Sequence, residues 1–145
     1  MEFFKDSKKQ FMIPELFSEQ ASADAKAIRD SGLKSNQFRN YFQELRAIEE
    51  SYRRKRTPKQ ETAQQEPSDA NWQETLPRLH MLKARVAYGQ RRNGSSTDKF
   101  QAFMNKVIDA GIRSERDFEA MMLYVEAVLA YFYAEENSGY DSRRR

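Results

Sequence analysis

The chain has 145 residues, with 25 lysines and arginines against 22 acidic residues and a formal net charge of +3. This length suffices for one domain with a buried core, and the absence of cysteine excludes disulfides, thiolate metal sites and cysteine nucleophiles. No run approaches the ~18 apolar residues of a membrane span, and charges interrupt the early apolar residues where a signal peptide needs a continuous stretch. We therefore expect a cytoplasmic protein without membrane contact. The scarcity of glycine and proline favours helices over strands.

A variable, polar lead-in over residues 1–13 precedes the first predicted helix. Pro14 suits the first turn of that helix, because the N–H group that proline lacks has no partner there in any case. The helix is expected to end at Asp30 or Ser31, with Gly32 as its C-terminal stop.

A second helix is predicted to begin at Ser35, a residue type that caps helix N-termini. Apolar side chains at intervals of three, four and seven residues define one buried stripe: Phe38, Tyr41, Phe42, Leu45, Ile48 and Tyr52. The rim of this stripe carries arginines seven residues apart, the first ladder: Arg39, Arg46 and Arg53. The helix is expected to end in a run of cations before Pro58, since cations suit a helix C-terminus.

Residues 57–71 carry no apolar pattern and are predicted to be a long flexible connection, which would also permit domain swapping between two copies. A third helix is expected to begin near Asn71 or Leu76, with Pro77 in its first turn.

The third helix carries the second ladder. Its apolar stripe is Leu76, Leu79, Leu82 and Val86. Arginines with the same seven-residue step flank the stripe: Arg78, Arg85 and Arg92. Lys83 and Arg91 add to the positive charge, and no acid occurs between Glu74 and Asp98.

Two further helices are predicted in the last third of the chain. The fourth opens at Thr97 and closes at Gly111, with this stripe: Phe100, Phe103, Met104, Val107 and Ile108. Residues 114–117 resemble a capping box for the fifth helix. That helix is expected to bury Phe118, Met121, Met122, Val125, Val128, Leu129 and Phe132. With residues 137–145 as a basic tail, the sequence predicts an all-α fold, a single bundle of about five helices forming one domain over residues 1–145.

The two ladders are the strongest functional signal. A seven-residue step spans about two helical turns, so each trio follows one side of its helix. Because the planar fork of arginine suits phosphate oxygens, a nucleic acid is the favoured partner. Eight residues are the candidate phosphate contacts: Arg39, Arg46, Arg53, Arg78, Lys83, Arg85, Arg91 and Arg92. Tyr41, Tyr52 and Tyr88 are candidates for stacking on bases.

Two other interpretations of the ladders stay open. Charges at the rim of an amphipathic helix often only face water while their stems cover the core. Alternatively, the chain is a helical scaffold whose arginines bind acidic protein surfaces. Pairing of the ladders with Glu44, Glu49 or Glu126 would favour the scaffold, and one continuous basic face would favour nucleic acid.

No convergent set of catalytic groups is evident. His80 is the only histidine and has neither a nucleophile motif nor a second metal ligand around it. No glycine-rich phosphate loop, Asp-x-Asp or Glu-x-x-His pattern occurs, which argues against a Mg²⁺-dependent nuclease. Glu126, inside an apolar run, is expected to pair with an arginine of another helix. We predict no catalytic residue, no metal and no cofactor.

Three segments in order resemble the small subunit of type III-A CRISPR effector complexes, the Csm complexes. Residues 31–42 resemble the N-terminal motif of that family, a small-polar turn before an arginine-led helix. Residues 76–91 resemble its central motif, although Ala84 stands where many relatives have proline. Residues 118–131 resemble its closing helix, and the order and spacing agree over residues 31–133.

The resemblance implies an α-helical subunit that is not an enzyme and serves antiviral defence. Copies would stack beside the subunits that hold the guide RNA, and their basic face would follow the target RNA or the displaced strand. The implied partners are the guide RNA–target RNA duplex or single-stranded nucleic acid, other Csm subunits, and further copies of the chain, stacked or as a dimer. Base pairing would supply specificity while the protein contacts backbone.

Overall fold

The computed structural model describes the backbone of residues 1–55, 67–93 and 98–144, and the side chains of residues 1–55, 70–89 and 98–135. Within these ranges, six helical elements follow one another: a 3₁₀-helix (Pro14–Phe17), α1 (Glu19–Asp30), α2 (Ser35–Lys55), α3 (Pro67–Asn93), α4 (Asp98–Gly111) and α5 (Glu115–Arg144). The described part of the chain has no strand, only a single antiparallel bridge between Phe4 and Met12. The predicted all-α bundle of about five helices is thus confirmed.

Helix α5 is the central element of the bundle. It packs against α1, α2 and α4, while α3 packs against α2 and α4. Every side chain predicted to be buried on α4 and α5 lies in the core. In the middle of that core, the Phe38 ring of α2 lies against Phe100 and Phe132, with ring centroids 5.2 and 5.4 Å away. Because α2 contacts both α3 and α5, each of its flanks faces a different neighbouring helix.

Several helix ends follow the local sequence signals. Gly32 has a φ of 97° directly after α1, a conformation that glycine adopts without strain. The Asp117 N–H group donates to Ser114 Oγ at 3.1 Å, as the capping box predicts. Helix α4 ends at Gly111, as predicted, and this position has no room for a side chain, since a Cβ atom there would lie 2.6 Å from Met121 Sδ. The positions of these ends could be predicted because the chain signals them locally.

The lead-in, residues 1–13, is packed against the bundle, which its sequence did not predict. Phe3 and Phe4 are buried, and the Ile13 N–H group donates to the Phe3 carbonyl at 2.9 Å. Lys9 forms an ion pair with Asp117, whose side chain is buried. A buried carboxylate needs such a partner, so the lead-in and the first turn of α5 stabilise each other.

The predicted start of the third helix is wrong, because α3 already begins at Pro67 and Pro77 lies in its interior. An interior proline costs about 3 kcal/mol, and tertiary packing offsets this cost. Trp72 is buried beside Tyr52, with ring centroids 5.9 Å apart, and Asn71 Nδ2 donates to the Tyr52 carbonyl at 2.6 Å. These contacts to α2 extend the helix on the N-terminal side of Pro77.

The predicted connection and tail are shorter than expected. Residues 67–71 belong to α3, and residues 57–66 lie outside the described part of the chain. The backbone of α5 continues to Arg144, through most of the predicted tail over residues 137–145. Side chains after Glu135 lie outside the description.

Candidate nucleic-acid interface

The first ladder lies on the flank of α2 that faces α5, and acids or aromatic rings accompany it. Arg46 Nε and Arg53 Nη2 lie 3.7 and 3.1 Å from the two carboxylate oxygens of Glu49. Arg39 Nε donates to the Tyr133 hydroxyl at 2.9 Å, and its guanidinium lies over that ring, 5.7 Å from the centroid. All three arginines are exposed, but each already has partners within the bundle.

A groove between α2 and α5, here called the α2/α5 groove, contains part of this ladder and has a volume of about 750 Å³. Its lining is Met12, Arg46, Glu49, Glu50, Tyr52, Arg53, Arg116, Glu119, Met122, Leu123 and Glu126. Three arginines therefore face four glutamates, and the formal charge of the lining is −1. A polyanion gains little from such a surface.

The expectation for Glu126 is wrong. This residue is exposed and makes no ion pair with any residue whose side chain is described. It lines the α2/α5 groove from the α5 side together with Leu123, whose side chain is exposed although leucine usually marks the buried stripe. One turn of α5 can thus turn both an acid and a leucine outward, because the buried stripe covers only one side of a helix.

The second ladder lies on α3, on the flank that faces α2. Arg78 and Arg85 border a cavity of about 250 Å³ together with Glu44, Ala47, Met81 and Leu82. Arg85 is exposed and forms an ion pair with Glu44 of α2. Arg78 is exposed and makes no ion pair within residues 1–55, 70–89 and 98–135. Two arginines face one glutamate here, so the local charge is positive.

The remaining basic candidates divide between two other places. Lys83 lies on the opposite edge of α3 and pairs with Asp109 of α4, with Nζ and Oδ1 2.6 Å apart. Arg91 and Arg92 belong to the backbone of α3, and their side chains lie outside the described residues. The structure therefore brings Arg78 and Arg85 together and separates them from Lys83.

The three tyrosines named as stacking candidates differ in exposure. Tyr52 is buried and donates a hydrogen bond to Glu115. Tyr41 is half-buried, with its ring centroid 5.6 Å from that of Phe100. Tyr88 is 66% exposed on α3. Only Tyr88 among the three offers a ring face to a ligand, and it lies three residues from Arg85.

The two ladders do not form one continuous basic face. The first ladder lies where α2 meets α5, and the second lies on α3 where that helix meets α2. The solvent-facing ridge of α2 therefore separates them. At about 100° per residue, this ridge carries uncharged, exposed side chains over residues 36–47, namely Asn36, Asn40, Gln43 and Ala47, and the exposed Arg54 near its C-terminal end. The ion pairs with Glu44 and Glu49 are those that favour a scaffold. They involve two arginines of the first ladder and only Arg85 of the second.

Among the described residues, Tyr124 has the most strongly shifted pKa, and the groups around it hold helices together. Burial, followed by the hydrogen bond to Asp24, raises the pKa of Tyr124 far above its ordinary value of 10.0. Lys106 also pairs with Asp24 at 3.1 Å, which ties α1 to α4 and α5. No sequence pattern signals this network, because its members lie on three different helices. Across the described residues, no cluster of histidine, cysteine, aspartate and glutamate could hold a metal ion.

None of the described helices is long and apolar enough to span a membrane.

Comparisons with known proteins identify one family. Searches of curated proteins and of solved structures find no significant match. The profile described as Csm2 Type III-A matches residues 13–138, which covers every described α-helix but the last residues of α5. The chain therefore belongs to the Csm2 Type III-A family, whose members are non-catalytic structural subunits of type III-A CRISPR effector complexes and associate with other Csm subunits.

Proposed function

We propose that this subunit binds the backbone of single-stranded nucleic acid, the target RNA above all, along the exposed edge of α3, and so supports antiviral defence in the cytoplasm. The observation that carries the proposal is the pair Arg78 and Arg85, seven residues apart on one exposed edge where cations outnumber acids. Two helical turns span about 11 Å, so the two guanidinium groups are spaced to contact different phosphates of one strand.

The ion pair between Arg85 and Glu44 does not argue against this role. The Arg85 side chain is 63% exposed, and an exposed pair of this kind contributes only about 0–1 kcal/mol. A phosphate offers the guanidinium two oxygens in a matching plane. Arg85 can therefore exchange its carboxylate partner for a phosphate at small cost.

Tyr88 and Met81 give the α3 edge exposed apolar surface, which contacts to nucleic-acid phosphates alone would not require. Both are large, exposed side chains on the same side of α3 as the two arginines. Stacking of a base on an aromatic side chain is worth about 1–3 kcal/mol and tolerates any base. An unpaired strand has bases free to stack, so this surface favours a single strand over a closed duplex.

The other six basic candidates are proposed as secondary contacts. Arg39, Arg46, Arg53, Lys83, Arg91 and Arg92 follow the same chemistry, but internal pairing of the first three and of Lys83 reduces what each has to offer a phosphate. We further propose that several copies line up along the strand. A few contacts per copy give little affinity alone, and aligned copies multiply it.

A second candidate function, a scaffold that binds protein surfaces, is favoured by the first ladder. Arg46 and Arg53 share Glu49, and the α2/α5 groove is slightly acidic. The two functions are compatible, because they use opposite flanks of α2.

Ultraviolet crosslinking of the assembled complex to its target RNA, mapped to single residues, tests the proposal. We expect RNA adducts on α3, with Tyr88 the most heavily modified tyrosine, and none on the buried Tyr52. Adducts confined to α2 and α5, or a subunit free of RNA adducts, would contradict the assignment to α3. A Tyr88→Phe variant serves as control, since phenylalanine keeps the ring and the stacking.

A further inference from the structure

The α2/α5 groove combines an exposed apolar side chain with arginines that have ion-pair partners and two glutamates that have none among the described side chains. Leu123 is 49% exposed in its wall, with Met122 and Met12 beside it. A single exposed leucine is ordinary on a protein surface, but this one lies in the wall of a groove whose lining is otherwise mostly charged. The apolar component therefore points to an occupant with its own apolar side chain.

The arginines of the groove are already engaged. Arg46 and Arg53 are paired with Glu49, and Arg116 Nη1 lies 3.1 Å from Glu119 Oε1. Arg116 also donates from Nε and Nη2 to the Lys9 carbonyl at 3.2 and 3.1 Å. These contacts leave little positive charge for a ligand.

Two acids of the groove have no such partner. Glu50 and Glu126 are exposed, and neither forms an ion pair with a residue whose side chain the structure describes. The uncompensated charge of the groove is therefore negative, one glutamate on the α2 side and one on the α5 side. A ligand that carries lysine or arginine on both sides of an apolar residue complements this arrangement.

Other kinds of ligand fit less well. A nucleic-acid strand would meet Glu50 and Glu126 with its own negative charge. Small-molecule pockets are mostly apolar with a few polar groups, whereas charged residues form the larger part of this lining. A volume of about 750 Å³ open along two helices instead suits a protein segment laid between them, as in helix-in-groove recognition.

We infer that the α2/α5 groove is a docking site for a basic, amphipathic segment of a different subunit of the effector complex. An apolar side chain of that segment covers Leu123, and its lysines or arginines pair with Glu50 and Glu126. The inference rests on membership of the complex and is independent of RNA binding by α3. It assigns different classes of partner to the two flanks of α2.

Because the chain has no cysteine, one introduced thiol can carry a photo-crosslinker at a chosen position. A benzophenone on the Leu123→Cys variant, irradiated in the assembled complex, is expected to give an adduct with a different protein subunit, through a peptide rich in lysine or arginine. The same probe on the Tyr88→Cys variant reports the α3 edge.

Each outcome at the two positions has a defined meaning. For the probe in the groove, an RNA adduct, an adduct with a second copy, an adduct with an acidic peptide, or no protein adduct would each overturn the inference. If the probe on the α3 edge gives no RNA adduct, that result counts against the proposed function alone.

Charge reversal provides an independent measurement. The Glu50→Lys/Glu126→Lys variant is expected to enter the complex with at least a tenfold higher Kd, because its lysines repel the basic segment, while its own thermal unfolding stays unchanged. The matched control, Glu19→Lys/Glu135→Lys, reverses two exposed acids outside the groove and should assemble like the natural chain. Equal incorporation of both variants would refute the docking site. RNA affinity of the isolated chain at low salt distinguishes the two proposals, since it should not fall in either variant.

Discussion

The two ladders share residue type and spacing but differ in what surrounds them. On α2, Arg46 and Arg53 share one carboxylate in a groove whose formal charge is −1. On α3, Arg78 has no such partner among the described side chains, and Arg85 has one exposed pair. A seven-residue step fixes the side of a helix on which a residue lies. It does not fix which acids a neighbouring helix brings to that side, and those acids decide how much charge is left for a ligand.

The largest expected effect is a loss of RNA affinity when the arginines of the second ladder, and not those of the first, are removed. Replacing Arg78 and Arg85 by alanine should weaken binding of target RNA to the assembled complex by about a hundredfold, since two charge-assisted contacts worth roughly 1.5 kcal/mol each are lost. The slope of log K against log salt concentration should become shallower by about 1.4, at roughly 0.7 per phosphate contact on a single strand. Titration with labelled RNA at several salt concentrations measures both quantities.

The matched control is Arg46→Ala/Arg53→Ala on the first ladder. It removes two arginines with the same spacing, and we expect less than roughly a threefold change in affinity and an unchanged salt slope, since these arginines are already paired. Equal losses in the two double variants would mean that both ladders contact RNA and would erase the distinction between them.

A smaller effect tests whether bases as well as phosphates are contacted on α3. Tyr88→Ala should lower RNA affinity by about tenfold, within the range of about 1–3 kcal/mol for one stacked base, without changing the salt slope. Tyr88→Phe should bind like the natural chain because the ring remains. If both variants bind normally, α3 contacts only the phosphate backbone.

The smallest effect concerns how α3 is held against α2. A Cβ atom on Gly89 would collide with the Tyr41 hydroxyl oxygen but would lie 3.5 Å from the ring carbon that carries it. Overpacking costs about 1–3 kcal/mol, and alanine gains about 1 kcal/mol of helix propensity over glycine. Gly89→Ala should therefore lower the free energy of unfolding by up to about 2 kcal/mol.

Removing the hydroxyl should reverse the sign of that change. In a Tyr41→Phe background, Gly89→Ala should stabilise the chain by roughly 0.5–1 kcal/mol, because the new methyl group then makes an ordinary contact. Urea denaturation of the four chains gives the coupling energy. A Gly89→Ala chain more stable than the natural one would show that Tyr41 moves aside and that α3 is not held at this point.

Features that depend on neighbours in sequence could be predicted, and those that depend on distant residues could not. The stripes of α4 and α5, the Gly32 stop and the Ser114 cap follow from spacing and from local hydrogen bonds. The start of α3 could not be predicted, because Trp72 and Asn71 reach α2 to extend the helix beyond Pro77. The outward position of Glu126 was missed for a related reason: an acid within an apolar run reveals its side of the helix only once its neighbours are placed.

The candidate site shows the same division. That the arginines lie at helix rims followed from their spacing, whereas their pairing with Glu44 and Glu49 depends on how α2 packs against its neighbours. Tyr88 could be distinguished from Tyr41 and Tyr52 only once burial was known. A pattern of cations thus predicts a candidate binding surface, and the fold determines which of those cations are available to a ligand.

The packing of Phe3 and Phe4 bears on where the folding unit begins. The family match starts at residue 13, yet these two rings lie in the same hydrophobic core as Tyr124 and Phe118. The boundary of family likeness and the boundary of the cooperative structure therefore differ by the length of the lead-in. A chain trimmed to the matched range would keep α1 to α4 and most of α5 but would lose part of the cover over its own interior.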